Sequence, residues 1–157
     1  MPTHAEKRVL PYSPQQLFDL VADVEKYPVF LPWCLAVRVR KRETEGEIET
    51  SISDMVIGFK VFRERFTSRV TCTPGHRIDV TYEDGPFKYL NNHWTFNQLA
   101  GPNGEAHCEI DFFVDFEFRS RILQKIAGAL FHEAVSRMVA AFEKRAYELH
   151  GRRASDR

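Results

Sequence analysis

The clearest pattern in the chain is a polar–apolar alternation near its end. Cys108, Ile110, Phe112, Val114, Phe116 and Phe118 take the even positions; His107, Glu109, Asp111, Asp115 and Glu117 take the odd ones, with Phe113 the exception. A period of two with one dry face and one wet face marks a half-covered antiparallel strand. This pattern predicts a strand over residues 105–118. Similar runs predict strands over residues 35–43, 47–57, 60–72, 77–83 and 88–99, and a short first strand over about 3–11. The breaks between them are Glu45-Gly46, Pro74-Gly75, Gly85-Pro86 and Gly101-Pro102-Asn103-Gly104. Such short, regularly spaced Gly/Pro punctuation is that of an antiparallel meander.

The period switches to that of a helix twice. Ser13-Pro14-Gln15-Gln16 reads as an N-cap, a proline at the first helical position and a Gln completing a capping box. The helix runs to about Asp23 and buries Leu17, Phe18 and Val21; a second short helical turn leads on from it. From Ser120 to about Leu149, Leu123, Ile126, Ala127, Leu130, Ala134, Met138 and Phe142 recur at three- and four-residue steps. Ile122, Phe131, Val135 and Val139 widen that stripe. A helix of this length reaches ~45 Å and can cross a whole sheet.

These elements predict an α+β fold: a curved antiparallel sheet wrapped around one long C-terminal helix, with two small helices after the first strand. Residues 1–150 are expected to form one domain and 151–157 a disordered polar tail. A bent sheet cannot touch a straight helix along its whole length. An apolar cavity with a few placed polar groups is therefore expected between them.

The segment over residues 27–34, Tyr-Pro-Val-Phe-Leu-Pro-Trp-Cys, has two prolines and no charge. Each proline restricts itself and the residue before it, so the connection is stiff. It is either a plug for the core or part of an entrance for a greasy ligand.

Composition narrows the function classes. Thirteen phenylalanines supply large apolar surface without polar handles. Twenty-two basic and 22 acidic residues give no net charge, which argues against a dedicated nucleic-acid binder. Cys34, Cys72 and Cys108 are far apart and form no CxxC, so they read as buried thiols in a reducing compartment. No apolar run has signal-peptide length or approaches the ~20 residues of a membrane span. A soluble cytoplasmic protein is expected, with any contact peripheral at the inner face of a membrane. The six histidines show no ligand spacing, and no GxSxG, P-loop or GxGxxG occurs. No metal site, cofactor or catalytic residue is expected.

The order, length and motifs of the chain resemble the START-like, helix-grip superfamily of polyketide cyclase and lipid transport type. Within it they resemble the coenzyme-Q-binding branch. The segments that carry the resemblance are Leu10-Pro11-Tyr12-Ser13, Leu20-Val21-Ala22-Asp23-Val24, residues 27–34, Phe66-Thr67-Ser68-Arg69-Val70, Gly85-Pro86-Phe87 with Leu90 and Trp94, and Phe116-Glu117-Phe118. They run in order over nearly the whole chain. The resemblance implies non-enzymatic binding of a polyprenyl, ubiquinone-like quinone or related hydrophobic ligand, supporting respiratory quinone function or synthesis. Bacterial members also carry the label of a ribosome association toxin. That alternative implies a ribosomal subunit as partner, and no DNA.

Strand parity nominates the residues. Leu90, Asn92, Trp94 and Phe96 share one face, as do Phe62, Glu64, Phe66, Ser68, Val70 and Cys72. A quinone head group offers only acceptor oxygens, so it needs donors. Ser68, Asn92 and a desolvated, protonated Glu64 are the candidates. The competing reading makes them satisfied core polar groups, or groups turned to water by a bulge. Phe62, Phe66, Leu90, Trp94, Phe112, Phe116, Leu130 and Met138 would take the ring and isoprenoid tail. Tyr27, Phe30, Leu31, Trp33 and Phe87 would form a lid, or equally cap the core. Arg38, Arg40 and Arg42 alternate opposite Glu43, Glu45, Glu47 and Glu49, and Arg63, Arg65 and Arg69 can face Asp79 and Glu83. This is read as a cross-paired outer face. Ribosome binding would use those arginines and Arg152, Arg153 and Arg157. A third reading, a small-molecule enzyme, would work through Glu64.

Overall fold

The computed structural model describes residues 3–31, 33–59 and 62–151, without the side chains of Phe59 and Phe62. The elements are β1 (Thr3–Leu10), α1 (Pro14–Ala22), a 3-10 turn (Val24–Lys26), α2 (Tyr27–Phe30), β2 (Cys34–Glu45), β3 (Ile48–Phe59), β4 (Phe62–Thr73), β5 (Arg77–Asp84), β6 (Phe87–Ala100), β7 (Ala106–Phe118) and α3 (Arg121–His150). The strands form one seven-stranded antiparallel sheet in the order β1-β7-β6-β5-β4-β3-β2. The expected α+β architecture is present: curved sheet, long C-terminal helix and small helices after β1. Only β1 leaves sequential order, crossing to pair with β7.

Local sequence explains where each helix starts. The Ser13 side chain accepts from Gln16 N at 3.1 Å, and Gln16 Oε1 accepts from Ser13 N at 2.9 Å. Pro14 follows at the first helical position, where its missing N–H costs nothing. At α3, Ser120 Oγ accepts from Leu123 N at 3.2 Å. The 27–34 segment is not a plain loop. Half of it is the single turn α2, because Pro28 lies in its first turn and tolerates helical φ.

Bulges set which side chains face inward. Val39 pairs with Ser53 and Lys41 with Ile52, so Arg40 is the extra residue. Beyond the bulge the parity reverses. Arg42 leaves the face of Arg40 and reaches Glu49 at 2.9 Å and Glu25 beside α2. Arg38, Arg40 and Arg42 therefore do not share one face, which corrects the simple alternation. Arg40 pairs instead with Asp54 at 2.6 Å, and Arg69 with Glu83 at 3.6 Å. Asp79 is taken by its own strand neighbour Arg77 at 2.8 Å.

The core is asymmetric along α3. Val135, Met138, Phe142 and Ala146 in its C-terminal half are buried, the last three in one core with Tyr27, Trp94 and Phe112. Leu123, Ala127, Leu130 and Phe131 in the N-terminal half remain half-exposed. The helix is seated deeply at its C-terminal end, while at the other end Leu123 and Ala127 rest on the smaller cluster of Phe66, Phe87 and Phe118. Among the described residues no helix is long and apolar enough to cross a membrane.

Candidate functional site

A cavity of about 260 Å³ lies between the concave face of the sheet and α3. Its floor comes from alternate residues of β3 to β7. Phe66, Ser68 and Val70 represent β4, Leu90, Asn92 and Trp94 represent β6, and Phe112, Val114 and Phe116 represent β7. Leu130, Phe131 and Met138 of α3 form the roof. Tyr27, Leu31 and Trp33 line one end, beside Gly58 of β3. Gly58 N donates to Trp33 O at 2.8 Å, which ties the 27–34 segment to the β3 end of the sheet.

Aromatic packing holds this surface in place. Trp94 packs on Phe112 with centroids 4.6 Å apart and edge-on to Phe142 at 5.3 Å. Phe87, 3% exposed, stacks on Phe118 at 4.4 Å and meets Phe66 edge-on at 5.3 Å. Gly85 makes this approach possible: its φ is 141°, and a Cβ there would lie 2.8 Å from Phe66 Cβ. Phe87 therefore starts β6 and walls the cavity from within.

Of the nominated residues, the structure brings Tyr27, Leu31, Trp33, Phe66, Ser68, Phe87, Leu90, Asn92, Trp94, Phe112, Phe116, Leu130 and Met138 to this one surface. Phe30 lies outside the lining. It packs against Tyr27 and Phe142 with Arg145 Cζ 5.5 Å over its ring, and so fastens α2 to α3. Glu64 also lies outside the lining, half-exposed opposite Ile57 toward the end of the β3–β4 hairpin. The Phe62 side chain and Arg152, Arg153 and Arg157 fall outside the described residues.

The polar groups in the wall are few and neutral. Asn92 Nδ2 donates to Phe113 O at 2.9 Å, and Trp94 Nε1 donates to Asn92 Oδ1 at 3.2 Å. Asn92 thus locks the indole in place. The Tyr27 hydroxyl donates to Val21 O. Burial pushes its phenol well above the usual tyrosine range. Burial likewise pushes the thiols of Cys34 up to about 12 and of Cys72 and Cys108 to about 11. All three are free and buried. They are therefore inert thiols at neutral pH.

Strand β3 contributes Ser53, Met55, Ile57 and Gly58 to the lining, and α1 contributes Val21, with Val24 just after it. Sequence parity missed the β3 residues because hydrophobicity does not separate the strand's two faces. Ile52 and Val56 sit on the outer face while Ser51 and Ser53 sit inside. The register with β4, in which Ser53 pairs with Ser68 and Met55 with Phe66, fixes the orientation.

A built cavity under a long helix is a fold-level trait, and comparison with known proteins agrees. The pattern of the polyketide cyclase/dehydrase and lipid transport family matches residues 10–143. The chain belongs to this family. It is 42% identical over 146 residues to the ribosome association toxin RatA of Rickettsia prowazekii, covering 90% of this chain and 94% of that protein. It is 36% identical over 154 residues to the mitochondrial coenzyme Q-binding protein COQ10 homolog B of Xenopus laevis, covering 95% of this chain. The match spans 59% of that longer relative. An 18 kDa Caulobacter crescentus protein, solved in solution, superposes with a TM-score of 0.77 at 38% identity, covering 97% of this chain and 100% of its own.

Proposed function

We propose that this family member is a non-enzymatic carrier of an uncharged isoprenoid lipid, with a polyprenyl quinone as the ligand class. One observation carries the reading: none of the described residues lining the cavity is charged, and nearly all are apolar. A fatty acid or phospholipid head would bring an anion to a wall with no cation, at a desolvation cost of several kcal/mol. A quinone ring is flat, neutral and apolar on its faces, which suits the Trp94, Phe112 and Phe116 surface. Burial of its area is worth about 25 cal/mol per Å².

The size sets a limit. At about 260 Å³ the cavity lies just under the ordinary range of roughly 300–1,000 Å³ for ligand pockets. It holds a head group and the start of a tail. The remainder of a polyprenyl chain would leave past the half-exposed Trp33, Ile57 and Gly58, toward a lipid surface.

Mass spectrometry of an organic extract of the purified protein tests this. The expected result is a quinone at near-stoichiometric level, depleted in Trp94→Ala although that variant still folds. The similarity to a ribosome association toxin supports a second reading, as an inhibitor acting on a ribosomal subunit. An empty extract, with added quinone also failing to bind and cosedimentation with ribosomal subunits, would favour it.

A further inference from the structure

Most of the polar side chains in the cavity wall have an internal reason to be there. Asn92 and Trp94 satisfy each other and Phe113 O, and the Tyr27 hydroxyl caps Val21 O. Ser53 does not. It is 2% exposed, its Oγ has no hydrogen-bond partner, and it lines the cavity. Ser68, 4% exposed and also in the lining, sits directly opposite it across the β3–β4 ladder. Directly opposed residues hold their Cβ atoms about 4.5–5.5 Å apart. The two hydroxyls thus form a donor pair set into an apolar wall.

An unpaired buried hydroxyl is costly and rare in native proteins, and the usual explanation is a missing ligand or function. No packing need calls for it: alanine or valine would fill an inner-face strand position better. The pair is also placed at depth. Both serines are buried, while Trp33, Ile57 and Gly58 toward the end of β3 are half-exposed. From Ser53 to Gly58 the strand advances ~17 Å.

We propose that Ser53 and Ser68 together are the anchor for an acceptor oxygen on the ligand's uncharged head group, so that the ligand lies head-first with its tail toward the open side. This rests on the lipid-carrier reading and deepens it. The class it selects is a carbonyl- or ether-bearing head, such as a methoxy-substituted quinone. Two hydroxyls at this spacing can both donate to one carbonyl oxygen, or singly to neighbouring carbonyl and ether oxygens. An isoprenoid hydrocarbon without oxygens would fill the same cavity but leave the Ser53 hydroxyl unpaired.

The test uses two probes of matched size in calorimetric titrations: a dimethoxy-benzoquinone bearing one isoprene unit, and the corresponding arene with the oxygens removed. Wild type, Ser53→Ala, Ser68→Ala and the double variant are compared. The wild type should prefer the quinone by at least tenfold. Each single variant should lose about three- to tenfold of quinone affinity, a hydrogen bond's worth. The double variant should bind both probes alike, with arene affinity unchanged. A second measurement needs no ligand: Ser53→Ala removes an unsatisfied group, so the thermal midpoint of the ligand-free protein should rise by about 2–4 °C.

A quinone preference that persists in the double variant overturns the anchor, as does a fall in the ligand-free midpoint of Ser53→Ala. Wild type that binds both probes without preference overturns the anchor and leaves the carrier reading standing. Wild type that binds neither overturns both.

Discussion

At the scale of single residues, the chemistry of this protein is mostly chemistry withheld. Cys34, Cys72 and Cys108 are enclosed, with thiol pKa values of about 12, 11 and 11 caused first by burial. At pH 7.5 the thiolate fraction is far below that of a free cysteine near pKa 8.5. A maleimide should therefore leave all three unlabelled in the native protein and label them on unfolding, a difference that mass measurement of the intact chain reads directly. Trp94 illustrates a different case, a core residue whose other face is part of the cavity surface. It already borders empty space, so truncation to alanine enlarges a cavity instead of opening one. Its stability cost should lie at or below the lower end of the usual ~3–5 kcal/mol for large aromatics. That is why ligand loss in this variant can be separated from unfolding.

At the scale of elements, α3 is the part that decides whether a cavity exists. Its C-terminal half is held by buried Met138, Phe142 and Ala146, and by the Glu143–Arg8 ion pair that ties it to β1. Its N-terminal half rests on a smaller cluster, with Leu123 and Ala127 against Phe66, Phe87 and Phe118, and is fixed by the Ser120 cap and the Gln124 side chain, whose Oε1 accepts from Phe118 N at 2.8 Å. Replacing Ser120 by alanine removes one of the fixtures at this end. It should cost about 1 kcal/mol globally. Amide hydrogen exchange should show faster opening over residues 121–128 and little change over 138–146. Uniform change along the helix would mean that the two halves are not independently seated. The capping box at Ser13 was legible because a cap is a local contact between residues three apart. The bulge at Arg40 was not, because a bulge is defined only by the partner strand.

At the scale of the whole molecule, two acidic groups tie distant parts together. Asp54 accepts from Thr67 at 2.5 Å and from Arg40 at 2.6 Å, joining β2, β3 and β4. Glu6 accepts from Arg8 at 2.9 Å and lies 2.9 Å from His4 Nε2, while Arg8 also reaches Glu143 on α3. Burial opposes ionisation at both, but the hydrogen bonds and nearby cations prevail and hold each carboxyl below its usual value. A carboxyl depressed in the folded state binds protons more readily when unfolded. Its stabilisation is fully present above about pH 4–5 and is lost as pH falls through the folded values. Denaturant midpoints should thus decline below about pH 4. Asp54→Asn should flatten part of that decline and lower stability at pH 7 by about 1–2 kcal/mol. A pH profile identical to wild type would remove Asp54 from the acid response.

The sequence alone determined the elements, their order and the inner faces of β4, β6 and β7, because alternation, capping and turn chemistry are local and redundant. It also determined the family, through motifs spread along the chain. It placed most of the cavity's aromatic wall, since one face of each strand must turn inward together. Tertiary structure alone decided the face of β3. Ser51 and Ser53 point inward and Ile52 and Val56 outward, against hydrophobicity, because the pairing with β4 sets which residues face inward. It also moved Phe30 and Glu64 out of the lining and gave Asn92 an internal partner. Above all it left Ser53 unpaired, a property of three-dimensional surroundings that no residue spacing encodes.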